Sequence, residues 1–276
     1  MDKINFDNTN INKQLPVLSV STCLSLLSKP FDKDKVVNLT YNKHFNNPES
    51  KYYQKSKDEI IQMWEDKAAE SCRYGSMLDD YIGINLTGNS DDLELWKLDN
   101  DYDGDERLHN NCDSFDNFIS QFLSDDIKFV DREKTLYLPY EVNGKVEGYF
   151  KGRFDALFYN NKLNKYIIVD WKSSAAIDSS NRWEKLLGPC KNLDSCNHNT
   201  YTLQGYFYKT ALLNSYLPKD ITVDNVDFII VQLPGHILEN NDNKNFKVYT
   251  PAFEYNKDYI INMLNFAWKK NTLISK

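Results

Sequence analysis

The chain has 276 residues, 41% of them hydrophobic and 26% charged, which is enough for a sizeable core in one large domain or two small ones. There is no run of about 18 apolar residues, so a transmembrane helix is excluded, and the polar start MDKINFDNTNINKQ lacks the apolar stretch of a secretory signal. A net charge of −7 argues against a general nucleic-acid coat protein, and five scattered cysteines read as reduced thiols, hence a cytoplasmic location and no membrane partner.

Residues 1–17 have no periodicity and read as an extended arm. Ser19 or Ser21 caps a short helix that runs through Leu27 and is stopped by Pro30. Residues 31–49 read as a loop. From Lys57 to Ile82 the apolar and small residues Ile60, Ile61, Trp64, Ala68, Cys72, Gly75, Leu78 and Ile82 recur at three- and four-residue steps, the pattern of a long helix. An acidic loop over 87–110 follows. Within it, residues 91–106 hold eight acids and one lysine. A helix is predicted over Ser114–Leu123.

The period then shortens to that of strands: Ile127–Val130, Thr135–Val142 and a β-rich Val146–Tyr159, with Asn143-Gly144 as a hairpin turn. YIIVDW (Tyr166–Trp171) is a near-continuous apolar run, which suits a strand buried on both faces. Residues 175–199 are a polar insert. Thr200–Tyr216 is predicted helix, Val226–Leu233 and Phe246–Tyr249 strands, and Asp258–Lys270 a last helix. This order predicts an α/β architecture with a central mixed sheet flanked by helices. Its divisions are an arm with a short helix over 1–50, a core over 57–234, and a C-terminal strand and helix over 235–276, all in one domain.

Two neighbouring strand segments end in acids. GRFDALFY carries Asp155, and IIVDWKSS carries Asp170 and Lys172. Positions 170 and 172 share a face of a strand. Asp170 ends a buried run, where a carboxylate is costly unless it is paired or holds a metal. If the strands pair, Asp155 lies beside Asp170. Two adjacent carboxylates repel unless a cation such as Mg²⁺ lies between them, and Lys172 then adds a fixed positive charge. The plain alternative is a surface Asp–Lys pair on an edge strand. QGYFY sets Gln204 and Tyr208 one helical turn apart on one face, as any amphipathic helix also does. YGSMLDD puts Asp79 and Asp80 near the end of the long helix. Residues 145–191 hold nine Lys/Arg against five Asp/Glu, which is compatible with a polyanion partner and also with a solvated face.

In this order, from about Trp64 to Leu213, the segments resemble the RecB-type nucleases of the PD-(D/E)XK superfamily. That family carries Gly-x-x-x-His on a helix, a G-r-i-D strand, a D-y-K-T strand and a helix with Gln-x-x-x-Tyr. The matching stretches are Gly75 through Asp79, Gly152-Arg153-Phe154-Asp155, Asp170-Trp171-Lys172-Ser173, and Gln204 through Tyr208. The resemblance implies a restriction-endonuclease-like core. It implies Mg²⁺ or Mn²⁺ held by Asp155, Asp170 and the Trp171 backbone carbonyl, with Lys172 positioning the water. Arg153, Gln204 and Tyr208 would contact DNA or support the site. Asp79 stands where the family has histidine and would be a metal ligand, with Asp80 as its rival. Glu141 falls where many relatives have an acid; a supporting role and a solvated strand charge are both open. The implied activity is metal-dependent DNA exonuclease. The alternatives are a site- or structure-specific endonuclease of the same fold and a non-catalytic DNA-binding protein. Partners would be DNA and a single-strand annealing or recombination protein. The Asn- and Lys-rich composition fits a phage enzyme acting in host cytoplasm.

Other patterns are weaker. Asp99-x-Asp101-x-Asp103-Gly104 begins like a calcium loop, but its twelfth position is Asn110 rather than Glu. Cys190, Cys196 and His198 suggest zinc, and Fe–S ligation needs a tight Cys-x-x-Cys that is absent; free thiols are the expectation. Trp183 and Tyr201 are candidates for stacking on bases.

Overall fold

The computed structural model describes residues 4, 6, 8, 10–88, 90–236 and 245–274. Its elements in chain order are β1 (Val17–Ser19), α1 (Val20–Leu26), α2 (Lys33–His44), α3 (Lys57–Thr87), α4 (Ser90–Asp99), α5 (Glu106–Phe122), β2 (Ile127–Arg132), β3 (Thr135–Val142), β4 (Lys145–Arg153), β5 (Ala156–Asn160), β6 (Lys165–Lys172), α6 (Asn197–Ser215), β7 (Val226–Gln232), β8 (Lys247–Tyr249) and α7 (Lys257–Ile274). The protein is α/β, with mixed sheets flanked by helices.

The expected single central sheet is divided in two. A five-stranded sheet has the order β2-β5-β6-β7-β8, and a three-stranded sheet the order β1-β4-β3. In the larger sheet β6 and β7 run parallel and the other pairs antiparallel. The division falls within the β-rich 146–159 stretch, which corrects the expectation there. It is not one strand: β4 stops at Arg153 and β5 restarts at Ala156, each in a different sheet. The Asn143-Gly144 turn is as expected, with φ of 53° and 77°, the pair of positive values a two-residue hairpin needs.

The pleat of the larger sheet feeds two cores. Leu157, Ile168 and Ile230 point to one side, where α6, α1, α7 and the small sheet pack. Ala156, Phe158, Val169, Trp171 and Val231 point to the other, against α3, α4 and α5. Each fully buried Phe, Leu or Ile of this kind contributes about 1.5–3 kcal/mol of transfer free energy. That explains why YIIVDW reads as a continuous apolar run.

Three helical expectations need correction. Residues 31–49 are not a loop: Asp32 accepts a hydrogen bond from the Lys35 N–H at 2.9 Å and caps α2. Only Val37 of α2 is buried, so there was no apolar stripe to read. The acidic segment is not a loop either. Asp91 and Asp92 sit in the first turn of α4, where carboxylates suit the helix dipole, and Trp96 is buried. Helix α5 starts at Glu106 rather than Ser114 because Asp105 caps it through the Leu108 N–H at 3.0 Å. Helix α3 begins where expected, on a Ser56/Glu59 capping box. Its predicted stripe fails in the middle: Ala68 and Cys72 are exposed. The arm is partly structured, since Val17–Ser19 pairs with β4, and Ser19, not Ser21, caps α1. In the polar insert, Gly188–Cys190 form a 3-10 turn and α6 begins early, at Asn197.

Candidate active site

The site forms where β4 breaks and β6 ends. Continuing the β5–β6 register beyond Ala156↔Val169 sets Asp155 across from Asp170. The break turns the Asp155 side chain toward the backbone of β6, where its Oδ2 accepts the Trp171 N–H at 2.8 Å. One residue on, the Lys172 carbonyl accepts the Leu233 N–H at 2.8 Å. Strand backbone groups alternate in direction, so Lys172 faces β7 and the Trp171 carbonyl faces the Asp155 side, where β5 has not yet begun.

Asp170 and Lys172 project to the α6 side of the sheet. Asp170 is 1% exposed, and Lys172 Nζ lies 2.6 Å from its Oδ2. Among the described residues neither Asp170 oxygen has a partner with hydrogen-bond geometry. Asp170 and Asp155 both act on the one ammonium of Lys172, so the group keeps a net negative charge in a desolvated place. Burial, then the Asp170 charge, pushes the Asp155 carboxyl up to about 7. The two acids hold Lys172 firmly protonated, well above its ordinary value despite burial.

Helix α6 covers this group. Tyr201, Gln204 and Tyr208 fall on one face at three- and four-residue steps. Lys172 Nζ sits 4.8 Å from the centre of the Tyr201 ring. Gln204 donates from Nε2 to the Tyr208 hydroxyl at 2.7 Å. Burial together with the charges of Asp170 and Asp155 holds that hydroxyl un-ionised. The close approach depends on Gly152: a Cβ there would come within 2.6 Å of Phe207 and 2.8 Å of Tyr208. Arg153, Gln204, Tyr208 and Asp155 line one cavity, together with Lys151 and the start of α1.

On the other side, Asp79 of α3 lines a cavity with Asp155, Trp171 and Lys172. Asp80 is exposed and does not line it. Asp79 Oδ1 lies 3.2 Å from Arg132 Nη2. Burial and the neighbouring Glu133 raise its carboxyl above the usual range.

Glu133 is the acid that sequence reasoning missed. It follows β2 with a φ of 50° and donates its N–H to the Asp155 carbonyl at 3.1 Å. Its carboxylate binds Arg153 at 2.9 Å and Arg132 at 3.3 Å. The signal available was the charged turn DREK between two strands, which by itself is ordinary. Glu141 is not brought to the site. It is exposed at the hairpin end, opposite Val146, seven residues of β4 from Arg153, or about 20 Å.

The hard oxygen donors of Asp155, Asp170 and the Trp171 carbonyl, with Asp79 across the cavity, suit Mg²⁺ or Mn²⁺ by chemistry. The excess of two carboxylates over one ammonium fits a cation. Among the described residues no three His, Cys, Asp or Glu side chains are gathered as a ready-made metal cluster, since Lys172 engages Asp170 and Arg132 engages Asp79. The fit therefore rests on Asp155, Asp170 and the carbonyl.

The other candidates lie elsewhere. All five cysteines are free, and His198 Nε2 contacts the Thr250 carbonyl at 2.7 Å. Asp99 of the calcium-like pattern ends α4, and Asp105, just beyond its Gly104, caps α5. Trp183 is 94% exposed on the insert and lines none of the cavities around Asp155 and Lys172. No family model and no curated protein matches the chain. Among the described residues, no helix is long and apolar enough to cross a membrane.

Proposed function

We propose that this protein is a Mg²⁺- or Mn²⁺-dependent deoxyribonuclease of the PD-(D/E)XK kind, hydrolysing phosphodiester bonds at DNA ends. The observation that supports this most is buried Asp170 beside half-buried Asp155, with Lys172 in ion contact and the Asp170 oxygens otherwise unpartnered among the described residues. A structural ion pair alone does not call for a second, half-buried carboxylate at the same place opening onto two cavities.

Asp155, Asp170 and the Trp171 carbonyl would hold the cation, with Asp79 as the further oxygen donor. When bound, a divalent cation supplies Lewis-acid charge at the phosphate and lowers the pKa of water. The Trp171 N–H fixes the orientation of the Asp155 carboxylate. Lys172, kept charged by two acids, places an ammonium where the phosphate gains charge, and a preorganised charge in a low-dielectric site acts mainly on the transition state. Tyr201 packs against that ammonium and limits its movement. Gln204 holds the Tyr208 hydroxyl, and Arg153 and Lys151 add positive charge on the α1 side for the DNA backbone. The wider setting of this reading is phage recombination, repair or replication in the host cytoplasm, beside a single-strand annealing or recombination protein.

The test is incubation of the protein with linear and with closed circular DNA, in Mg²⁺ and in EDTA. Loss of linear DNA alone, only with the cation, is the expected result. Nicking of circles would make it an endonuclease. Retention of DNA without cutting would make it a binding protein and overturn the proposal.

A further inference from the structure

Beside Lys172 a third cleft, of about 560 Å³, opens between α3, α5 and the end of β6. Its lining includes Lys67 and Ser71 of α3, Arg107 of α5, Lys172, Ser174 and His236 and, among the described residues, no Asp or Glu. In a chain of net charge −7, three cations and a histidine meet here with no acid among the described lining residues; Lys172 is paired with Asp170 behind the wall, and a cleft lined by groups of one sign concentrates anions.

Positions 67, 71, 75 and 79 recur every four residues along one face. Lys67 and Ser71 line this cleft, and Gly75 and Asp79 line the acid cavity next to it. The small side of this face, Ser71 and Gly75, leaves room along the helix, and the two cavities share Trp171, Lys172 and Ser173.

The cations differ in how free they are. Arg107 lies over the Tyr74 ring at 4.0 Å and contacts Glu70 at 3.4 Å, so it is placed and partly neutralised. Lys67 is exposed and makes no ion pair among the described residues. Ser174 is fixed through its carbonyl by Gln232 Nε2 at 2.9 Å. Its hydroxyl is buried in the wall without a partner among the described residues, a group that costs free energy until it finds one.

We propose that this cleft is a phosphate subsite, taking a phosphate of the nucleic-acid strand next to the one held at Asp155 and Asp170. The proposal rests on the nuclease reading for the identity of the strand; the anion chemistry stands apart from it. Free phosphate shares that chemistry.

The experiment uses the full chain carrying Asp170→Asn, in EDTA, with and without Lys67→Ala. Lys67 is solvent-exposed on a helix, so alanine is compatible with the fold. Binding of a fluorescent single-stranded oligonucleotide is measured by anisotropy from low to moderate salt. Lys67→Ala is expected to weaken binding several-fold and to reduce the log–log salt slope by about 0.7, the loss of one phosphate contact on a single strand. Lys67→Glu should weaken it further. Inorganic phosphate is titrated in parallel. Unchanged affinity and slope in both variants would overturn the subsite. Inorganic phosphate binding that depends on Lys67, with oligonucleotide binding that does not, would show a free-anion site and overturn the strand assignment. Cleavage by the wild-type chain is scored separately. A Lys67-dependent slope in a chain that cuts nothing would retain the subsite and remove the nuclease reading. Cutting with an unchanged slope would do the reverse.

Discussion

Two acid-rich regions of this molecule behave in opposite ways. Residues 91–106 hold eight acids, and those acids serve helix ends and turns: Asp91 and Asp92 start α4, and Asp105 caps α5. Asp155 and Asp170 are only two acids, yet they carry the candidate chemistry. The difference lies in solvent and partners. Asp105 accepts the Leu108 N–H, whereas buried Asp170 has the Lys172 ion contact and no hydrogen-bond partner among the described residues. Density of charge in a sequence thus says little about a site, whereas desolvation of a charge says much.

The sharpest way to break this comparison is Asp170→Asn. It keeps shape and removes the charge, and cleavage should fall by at least about 10²–10³-fold, with the far-ultraviolet dichroism unchanged. Near-normal metal-dependent cleavage would end the site assignment. Lys172→Ala comes next: the rate should drop roughly 10²-fold while DNA affinity changes little, because one phosphate contact among many is a small part of binding. Equal losses in both would make Lys172 a plain phosphate contact.

Asp79→Ala should cost about 10–100-fold and regain activity at high metal concentration. Asp79→His should stay partly active and shift toward Mn²⁺, since imidazole suits softer metals. Asp80→Ala, on an exposed position about 100° round the helix, should leave initial rates unchanged. If Asp80→Ala were the inactive variant, the helix register of the site would be wrong.

A pH series tests the desolvated acid directly. The Asp155 carboxyl is raised to about 7 in the folded chain, against about 3.9 when unfolded. Between those values the folded state binds the extra proton, so stability falls as pH rises through that window and is fully present below it. The unfolding midpoint in EDTA should therefore decline between about pH 4 and pH 7, and Asp155→Asn should flatten the decline. An unchanged slope in that variant would assign the effect to another group. The smallest effect belongs to the acidic segment. Asp105→Ala should cost about 1 kcal/mol of stability through the lost cap, read by denaturant melt, and leave cleavage per folded molecule intact.

Much of this was legible in the sequence because it is local. The apolar run of β6, the Asn143-Gly144 turn, the Ser56/Glu59 start of α3 and the pairing of Gln204 with Tyr208 each depend on a few neighbouring residues. So does the sharing of one strand face by Asp170 and Lys172. Helices α2 and α4 were not legible because each buries little, Val37 in one and Trp96 in the other, and a helix that buries little has no periodic stripe.

The sequence by itself determined which residues carry the acids, the lysine and the capping groups, and which strands are apolar on both faces. Only the tertiary structure decided that the chain breaks between β4 and β5, so that Asp155 turns onto the Trp171 N–H. It alone set Asp79 into the cavity and Asp80 outside, brought Glu133 to the site and left Glu141 at the far end of its hairpin. The physical reason is that periodicity is encoded over a few residues, while desolvation and charge pairing depend on which distant elements pack together. A carboxylate on a strand end reads the same in sequence whether water or a helix covers it.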